Sequence, residues 1–458
     1  MRARKIGVAL RNRLSLLAVF STISMAHTPA WASCALPADH QQTISIEACG
    51  ASSASSDNKK FIDEALEAAA NRFMGIYVPP GVFFTSGDHI PPSGVGVYGS
   101  GTLKLTANSR NPIINTAHSH NTINGVSFDL SASTSPSRAA IDIDGGSSGT
   151  VVSDVTVNYG RIMAFVTNGG APPTQIEIRH NALTSAITGG TSGGAIDINS
   201  GTSHFSVIGN RVNGNWNGKS PVQKPGDGTG IDVETGASYG QIAENDTYAN
   251  TGSGIYLLSA QFITVSGNNC SGNRQSGIGV NSDVVPRPGR LTISGNVCSQ
   301  NQYDGIDVNE GGPIKHIYIS IQGNYLASNG PAPGGGGTGI FLAYAANVVV
   351  SANTIFDNSV AGIWLNSSEN VVVVGNTISS NSRTNPGAYP GMLLINSSHN
   401  PISGNLFTNA GGNSTQSYAV EERGPSSDYN NFTGNNIHDN IKDGLHLRGP
   451  HDATSGNL

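Results

Sequence analysis

The residues of this chain best placed to do chemistry are three carboxylates, Asp197, Asp232 and Glu234. They lie in two near-copies of one short pattern, Ala195-Ile196-Asp197-Ile198-Asn199 and Gly230-Ile231-Asp232-Val233-Glu234. If the two copies are neighbouring parallel strands, Asp197 and Asp232 stand about 5 Å apart, and Asp232 and Glu234 about 6.5–7 Å apart along one strand. The first spacing suits a nucleophile and an acid, the second an acid and a base with water between them, the two arrangements that hydrolyse glycosidic bonds. Stacked like charges raise each other's pKa, a cost with no visible return in folding. Between the copies runs a long segment, 213–227, carrying Trp216, Lys219 and Lys224. A loop of that length is expected to overhang and shape a site. Its lysines suggest a second chemistry, in which an amine acts as base on a uronate polymer and carboxylates hold Ca²⁺ against the sugar acid group. The plainer readings are that an Asp on a strand keeps it soluble and unpaired at its edges, and that the lysines belong to a solvated loop.

What must position these groups is a repeat. The Gly-Ile element returns at Gly254-Ile255, Gly277-Ile278, Gly305-Ile306, Gly339-Ile340 and Gly362-Ile363. From Gly230 onward the intervals are 24, 23, 28, 34 and 23 residues. A Gly-Asn pair is interleaved at Gly209-Asn210, Gly267-Asn268, Gly295-Asn296, Gly323-Asn324, Gly375-Asn376, Gly404-Asn405 and Gly434-Asn435. A unit of about 23 residues rich in Val, Ile, Thr, Gly and Asn fits a coil of three short strands per turn, and fits leucine-rich or helical repeats badly. The expected fold is all-β, a single-stranded right-handed parallel β-helix. Alternation turns Ile231 and Val233 inward and Asp232 and Glu234 to solvent. The Asn of each Gly-Asn pair is expected to form a ladder of amides at a tight turn.

The outward position after each repeat Ile reads Asp142, Asp197, Asp232, Tyr256, Gly279, Asp307, Phe341, Trp364. It is acidic early and aromatic late. Tyr256, Phe341 and Trp364 could stack on sugar rings or simply cover apolar surface. Asp307, three rungs and about 14 Å beyond Asp232, is too far to pair with it but could bind a neighbouring sugar, as could Asn309 two residues on.

At the start of the chain, Arg2, Arg4, Lys5, Arg11 and Arg13 precede an apolar run from Leu14 to Met25 and the small-x-small site Ala30-Trp31-Ala32. Residues 1–32 are expected to be a secretory signal, giving a secreted or periplasmic protein with no further membrane span. Residues 33–94 should form an N-terminal segment and 95–458 the β-helix. An amphipathic helix over 57–71, with Phe61, Ala65, Leu66 and Ala69 inward and Ser55 or Ser56 as cap, would plug the open first rung. Cys34 and Cys49 are expected to pair in an oxidising compartment, whereas Cys270 and Cys298 occupy an inward slot held elsewhere by Val212, Leu326 and Ile355. A net charge of −6 argues against nucleic acid as a partner.

The helix at 57–70 followed by Val78-Pro79-Pro80-Gly81-Val82-Phe83 resembles the N-terminal region of the pectate lyase superfamily. The Gly-Ile and Gly-Asn repeats resemble those of mannuronan-epimerase-like and copper-maturation periplasmic proteins. Together the two resemblances span roughly 55–450. They imply a right-handed β-helix, and the family's typical partner is a polysaccharide, acidic or neutral. The Asp-Pro-His element of alginate epimerases and the Asp-Asp and Gly-His-Gly elements of polygalacturonases are missing, so no residue role carries over. The expectation is a polysaccharide-cleaving hydrolase. The alternatives are a lyase or C5-epimerase of uronate polymers, and a carbohydrate-binding or envelope protein without catalysis.

Overall fold

The computed structural model describes Cys34 and residues 42–458, apart from 72–73, 108, 110, 134–138, 167–169, 188–192, 200, 217–226, 283–288, 310–316, 331–335, 410–414 and 443. The signal segment expected over 1–32 lies outside the described residues, as do Lys219 and Lys224. Every strand pairing is parallel, and each rung contributes strands in turn to three faces of one solenoid. The first face is a 16-stranded sheet, the second is divided into sheets of seven and six strands, and the third is a 13-stranded sheet from Ile114–Asn115 to Leu445–His446.

The repeat works because each rung makes the same demands on its backbone. The Gly of each Gly-Asn pair sits in the left-handed region, with φ between 62° at Gly404 and 66° at Gly209, where a side chain would be strained. The following Asn is buried. The same holds at Asn245, which follows Glu244 instead of a glycine: its Oδ1 accepts from the backbone N–H and Nδ2 of Asn210, both at 2.9 Å, while its Nδ2 donates to the Val207 carbonyl at 2.8 Å and onward to Asn268 at 2.9 Å. The ladder runs unbroken from Asn181 through Asn210 to Asn435 and Asn457. A second ladder, five residues further along each rung, links Asn215, Asn250, Asn273, Asn301, Asn329, Asn358 and Asn381 and reaches Gln416. These amides satisfy turn backbone that would otherwise be orphaned inside the coil.

Between the ladders the core is a stack of aliphatic side chains. Ile196, Ile231, Ile255, Ile278 and Ile306 are fully buried in register. Cys270 and Cys298 occupy the same kind of inward slot as free thiols, and burial, reinforced by Cys270, pushes the Cys298 thiol well up. Cys34 and Cys49 form a disulfide beside the N-terminal cap. The cap is the helix Lys59–Ala70, with Ile62, Ala65, Leu66 and Ala69 buried. Its start is held by Asp57, whose Oδ1 accepts from the Lys59 N–H at 2.9 Å, rather than by Ser55 or Ser56. Phe61, expected inward, is half-buried, because Ile62 takes the core position.

Candidate active site

The carboxylates sit on the third face. Strand Gly193–Ile198 pairs with strand Asp227–Val233 so that Ile196 meets Ile231, Asp197 meets Asp232 and Ile198 meets Val233. The isoleucines enter the core and the two aspartates leave it, on successive rungs. The expectation that Asp232 faces solvent is overturned, since Asp197 and Asp232 are each only 1% exposed. Glu234 is half-buried and is the member of the group at the surface.

Asp197 is covered by Arg161, which arrives from the preceding rung. Its Nη2 forms an ion pair with Asp197 Oδ2, and its Nε donates to the Gly194 carbonyl at 2.7 Å. Gly193 makes room for the guanidinium, and Gly194 for the neighbouring strand at Asp232. A Cβ on Gly193 would lie 2.5 Å from Arg161 Nη2, and one on Gly194 would lie 2.7 Å from the Asp232 nitrogen. One carboxylate oxygen from each of Asp197, Asp232 and Glu234 lies within 4.8 Å of the others. Asp197 Oδ1 and Asp232 Oδ1 are buried with no hydrogen-bond partner among the described residues.

The electrostatics separate the two aspartates. Burial pushes Asp197 up, but the Arg161 guanidinium opposes it through charge and hydrogen bond. Burial pushes Asp232 much further, reinforced by the charges of Asp197 and Glu234, against relief from the charge of Arg161 and a hydrogen bond from the Val233 backbone. Asp197 is therefore the first to ionise and Asp232 holds its proton longer.

The surrounding column reads differently from the sequence in one respect. Met163 stands between Asp142 and Asp197, so Asp142 is two rungs away rather than next in line. Burial and the nearby Asp144 raise the Asp142 carboxyl to about 7, against the pull of Arg161. After Asp232 come Tyr256, Gly279 and Asp307, in register. The Tyr256 ring leans over Gly279, where an added Cβ would lie 2.9 Å from Tyr256 Cδ2. Asp307 is half-buried and its Oδ1 lacks a partner among the described residues; burial, then the charge of Asp304, pushes its carboxyl well up. Asp304 is itself tied to the N–H groups of Gly337 at 2.9 Å and Thr338 at 2.6 Å. Phe341 and Trp364 follow on the next two rungs and meet edge to face, with centroids 5.3 Å apart. Asn309 lies in the adjacent column beside Asn281 and Ala343. Trp216 is elsewhere, at the rung corner before strand Asp227–Val233, bridged to Ile187. Arg161, Gly193 and Gly194 escape a reading of the repeats, because the strand Arg161–Ala164 lacks the Gly-Ile mark that identifies a rung.

Architecture and pairing define a right-handed parallel β-helix, and the family model for the right-handed β-helix region matches residues 139–312 and 284–422. The chain belongs to that family. Among solved structures it is similar to the A-module of the Azotobacter vinelandii mannuronan C-5 epimerase AlgE6, at 18% identity and a TM-score of 0.54, covering 90% of this chain and 98% of that one. It is also similar to PfbA, a surface adhesin of Streptococcus pneumoniae, at 15% identity and a TM-score of 0.54, covering 85% of this chain and 92% of that one. A third is the pre-mature gene product 12 of bacteriophage phi29, at 13% identity and a TM-score of 0.60, covering 85% of this chain and 59% of that one. No curated protein matches the chain in sequence. At such identities the likeness is one of fold.

Proposed function

We propose that this protein hydrolyses glycosidic bonds of a polysaccharide bound along the third face, with Asp197, Asp232 and Glu234 as its catalytic carboxylates. The observation that carries the reading is the inequality of two buried neighbours: Arg161 ion-pairs Asp197 and opposes the upward push of burial there, while Asp232 has no cation paired with it among the described residues and is pushed up further. A carboxylic acid beside a carboxylate is what this hydrolysis requires. Oxygens within 4.8 Å favour the close pair of a retaining enzyme, whose carboxyl groups stand about 5–5.5 Å apart, over an inverting pair. Asp232 gives its proton to the leaving oxygen as Asp197 Oδ1 bonds to the anomeric carbon. Asp232, now anionic, then takes a proton from the water that releases the sugar from Asp197. The A-module resembled above is named for action on mannuronan, which supports a polymer along this face as substrate. We further propose that the chain is exported. Among the described residues no helix is long and apolar enough to cross a membrane.

A second reading has its own observation. One oxygen from each of the three carboxylates lies within 4.8 Å of the others, and Asp197 Oδ1 and Asp232 Oδ1 are buried without a hydrogen-bond partner among the described residues, an arrangement that a divalent cation would satisfy. Asp197, Asp232 and Glu234 would hold Ca²⁺, which would draw in a uronate carboxylate for lyase or epimerase chemistry. One assay separates the readings. The protein is incubated with acidic and neutral polysaccharides, with and without chelator, following reducing ends and the absorbance of unsaturated uronates. New reducing ends alone, insensitive to chelator, support hydrolysis. Both signals, abolished by chelator, mean a lyase; neither signal, with a changed uronate epimer ratio in the proton NMR spectrum of the polymer, means an epimerase; neither signal and an unchanged polymer, with binding intact, means a carbohydrate-binding protein.

The aromatic end of the column makes a separate prediction. Trp364 is half-buried against Phe341, and its Nε1 has no partner among the described residues. Trp364→Ala is expected to weaken polymer binding and to cost about 1 kcal/mol of stability through the lost ring contact. Trp364→Phe should recover most of the stability. Thermal melts beside affinity electrophoresis check both, and a stability loss with unchanged binding would make the pair packing alone.

A further inference from the structure

The third face does not stop at Trp364. The column continues through Leu393 and Glu421 to His446, so that Glu421 stands seven rungs, about 34 Å, beyond Asp232. At this far end the chemistry reverses sign. Arg423, in the adjacent column, grips Glu421 with both arms of its fork, Nε to Oε1 at 2.9 Å and Nη2 to Oε2 at 2.8 Å, and its Cζ lies 5.9 Å from the centre of the Tyr389 ring. Lys442 Nζ lies 5.0 Å from the centre of the Tyr418 ring, and that ring stacks on His446 at 4.9 Å. Lys442 is exposed and has no carboxylate partner among the described residues. The neighbouring Glu422 contributes nothing to this surface, because its carboxylate is fully buried on the other side, accepting from Asn430 Nδ2 and from the Arg448 and Gly449 N–H groups.

Arg423, Lys442 and His446 thus gather at this end of the face around Glu421, and both cations lie over tyrosine rings that fix their heads at the surface. From this arrangement we propose that the far end of the groove is a binding subsite for an anionic sugar, recognised through its carboxylate or sulfate, with Lys442 and Arg423 as its cationic groups and Tyr418 and Tyr389 as its walls. Arg423 keeps one guanidinium nitrogen, Nη1, beyond those committed to Glu421 and to the Ala388 carbonyl. The inference rests on the polysaccharide reading of the groove and names the substrate class: an acidic polymer long enough to run from the carboxylates to this end. The acidic end performs the chemistry, and the cationic end supplies the affinity and direction that acidic walls alone would repel.

The test measures binding, in Asp232→Asn protein so that no polymer is consumed. The probes are sodium polygalacturonate, a sulfated galactan and an uncharged galactomannan, each at two ionic strengths. Lys442→Gln and Arg423→Gln/Lys442→Gln are compared with the parent. An acidic probe should bind more tightly than galactomannan, lose affinity on the order of tenfold in the double variant, and lose most of its salt dependence. Which acidic probe responds tells carboxylate from sulfate. Lys442→Gln leaves the Arg423–Glu421 pair in place, so a partial loss there cannot be a folding effect. Acidic-polymer binding that is indifferent to both variants overturns the subsite while leaving a polysaccharide groove intact. Failure of every probe to bind the parent overturns the groove and the subsite together.

Discussion

Asp232→Asn is expected to lower turnover by a factor of about 10²–10⁴ while making the protein more stable. The two effects have one cause. Asp232 is buried beside Asp197 and near Glu234, so its charged form is penalised first by desolvation and then by the charges of these two carboxylates. An amide keeps the shape, removes the acidic proton and cannot acquire the charge. The pH dependence follows with a definite sign. Because the folded Asp232 holds its proton above the ordinary carboxylate range, the native state binds more protons than the unfolded chain in the window above pH 4. Its contribution is complete below the unfolded value and is lost as pH rises through the folded one, at up to about 1.4 kcal/mol per pH unit. Wild-type protein should therefore melt highest at mildly acidic pH, and the gain from Asp232→Asn should grow toward neutral pH. Asp142, raised to about 7, acts in the same direction between about pH 4 and 7, so the variant keeps a shallower slope of the same sign. Melting curves across pH and initial rates on the same preparations check this. A stable variant with undiminished turnover removes Asp232 from the mechanism, and full activity in the Asp197→Asn, Asp232→Asn double variant removes the site.

Much of this was legible in the sequence because a solenoid asks the same question of every rung. A glycine in the left-handed region followed by an asparagine with every amide atom bonded is a local solution that must recur, and it recurs visibly from Gly209 to Gly434. In-register parallel pairing then turns a one-dimensional alignment into neighbours, and so Asp197 beside Asp232 could be read before any coordinates. The second ladder, five residues after the first, was missed, because Asn250 and Asn273 look like ordinary turn residues until stacked. Burial was not legible. Alternation says only that Asp232 leaves the core; whether it then meets water depends on what lies over the sheet. The covering group is Arg161, on a rung whose Arg-Ile-Met-Ala strand carries neither Gly-Ile nor an acidic residue at the column position. Skipping that rung also made Asp142 look adjacent to Asp197. The far cationic end was hidden for a similar reason. Its column residues follow Val420 and Leu445 rather than the repeat's Gly-Ile, and its lysine and tyrosines come from loops that no period describes.

Arg161 is where the largest loss of stability is expected. Arg161→Met leaves Asp197 buried with no compensating charge, and breaking one partner of a buried pair costs about 3–5 kcal/mol. Both side chains are 5% exposed or less, so solvent can do little to relieve the orphan. The cost depends on Asp197 remaining charged, so the double variant Arg161→Met, Asp197→Asn should recover most of it. Arg161→Lys should recover less, because an ammonium cannot both reach Asp197 and replace the Nε bond to Gly194, and the space left by Gly193 is filled by the flat guanidinium. Activity gives a readout that mere packing would not move. Turnover needs Asp197 ionised while Asp232 is still protonated, and Arg161 is what separates them. Without it the Asp197 carboxyl rises toward that of Asp232, the acid limb of the pH–rate profile shifts to higher pH, and the working window closes from the acid side. Arg161→Lys, retaining a cation, should hold that limb near its wild-type position even at reduced stability. An Arg161→Met protein that melts lower but keeps the wild-type pH–rate profile would show that the guanidinium supports the fold without setting the charge of Asp197.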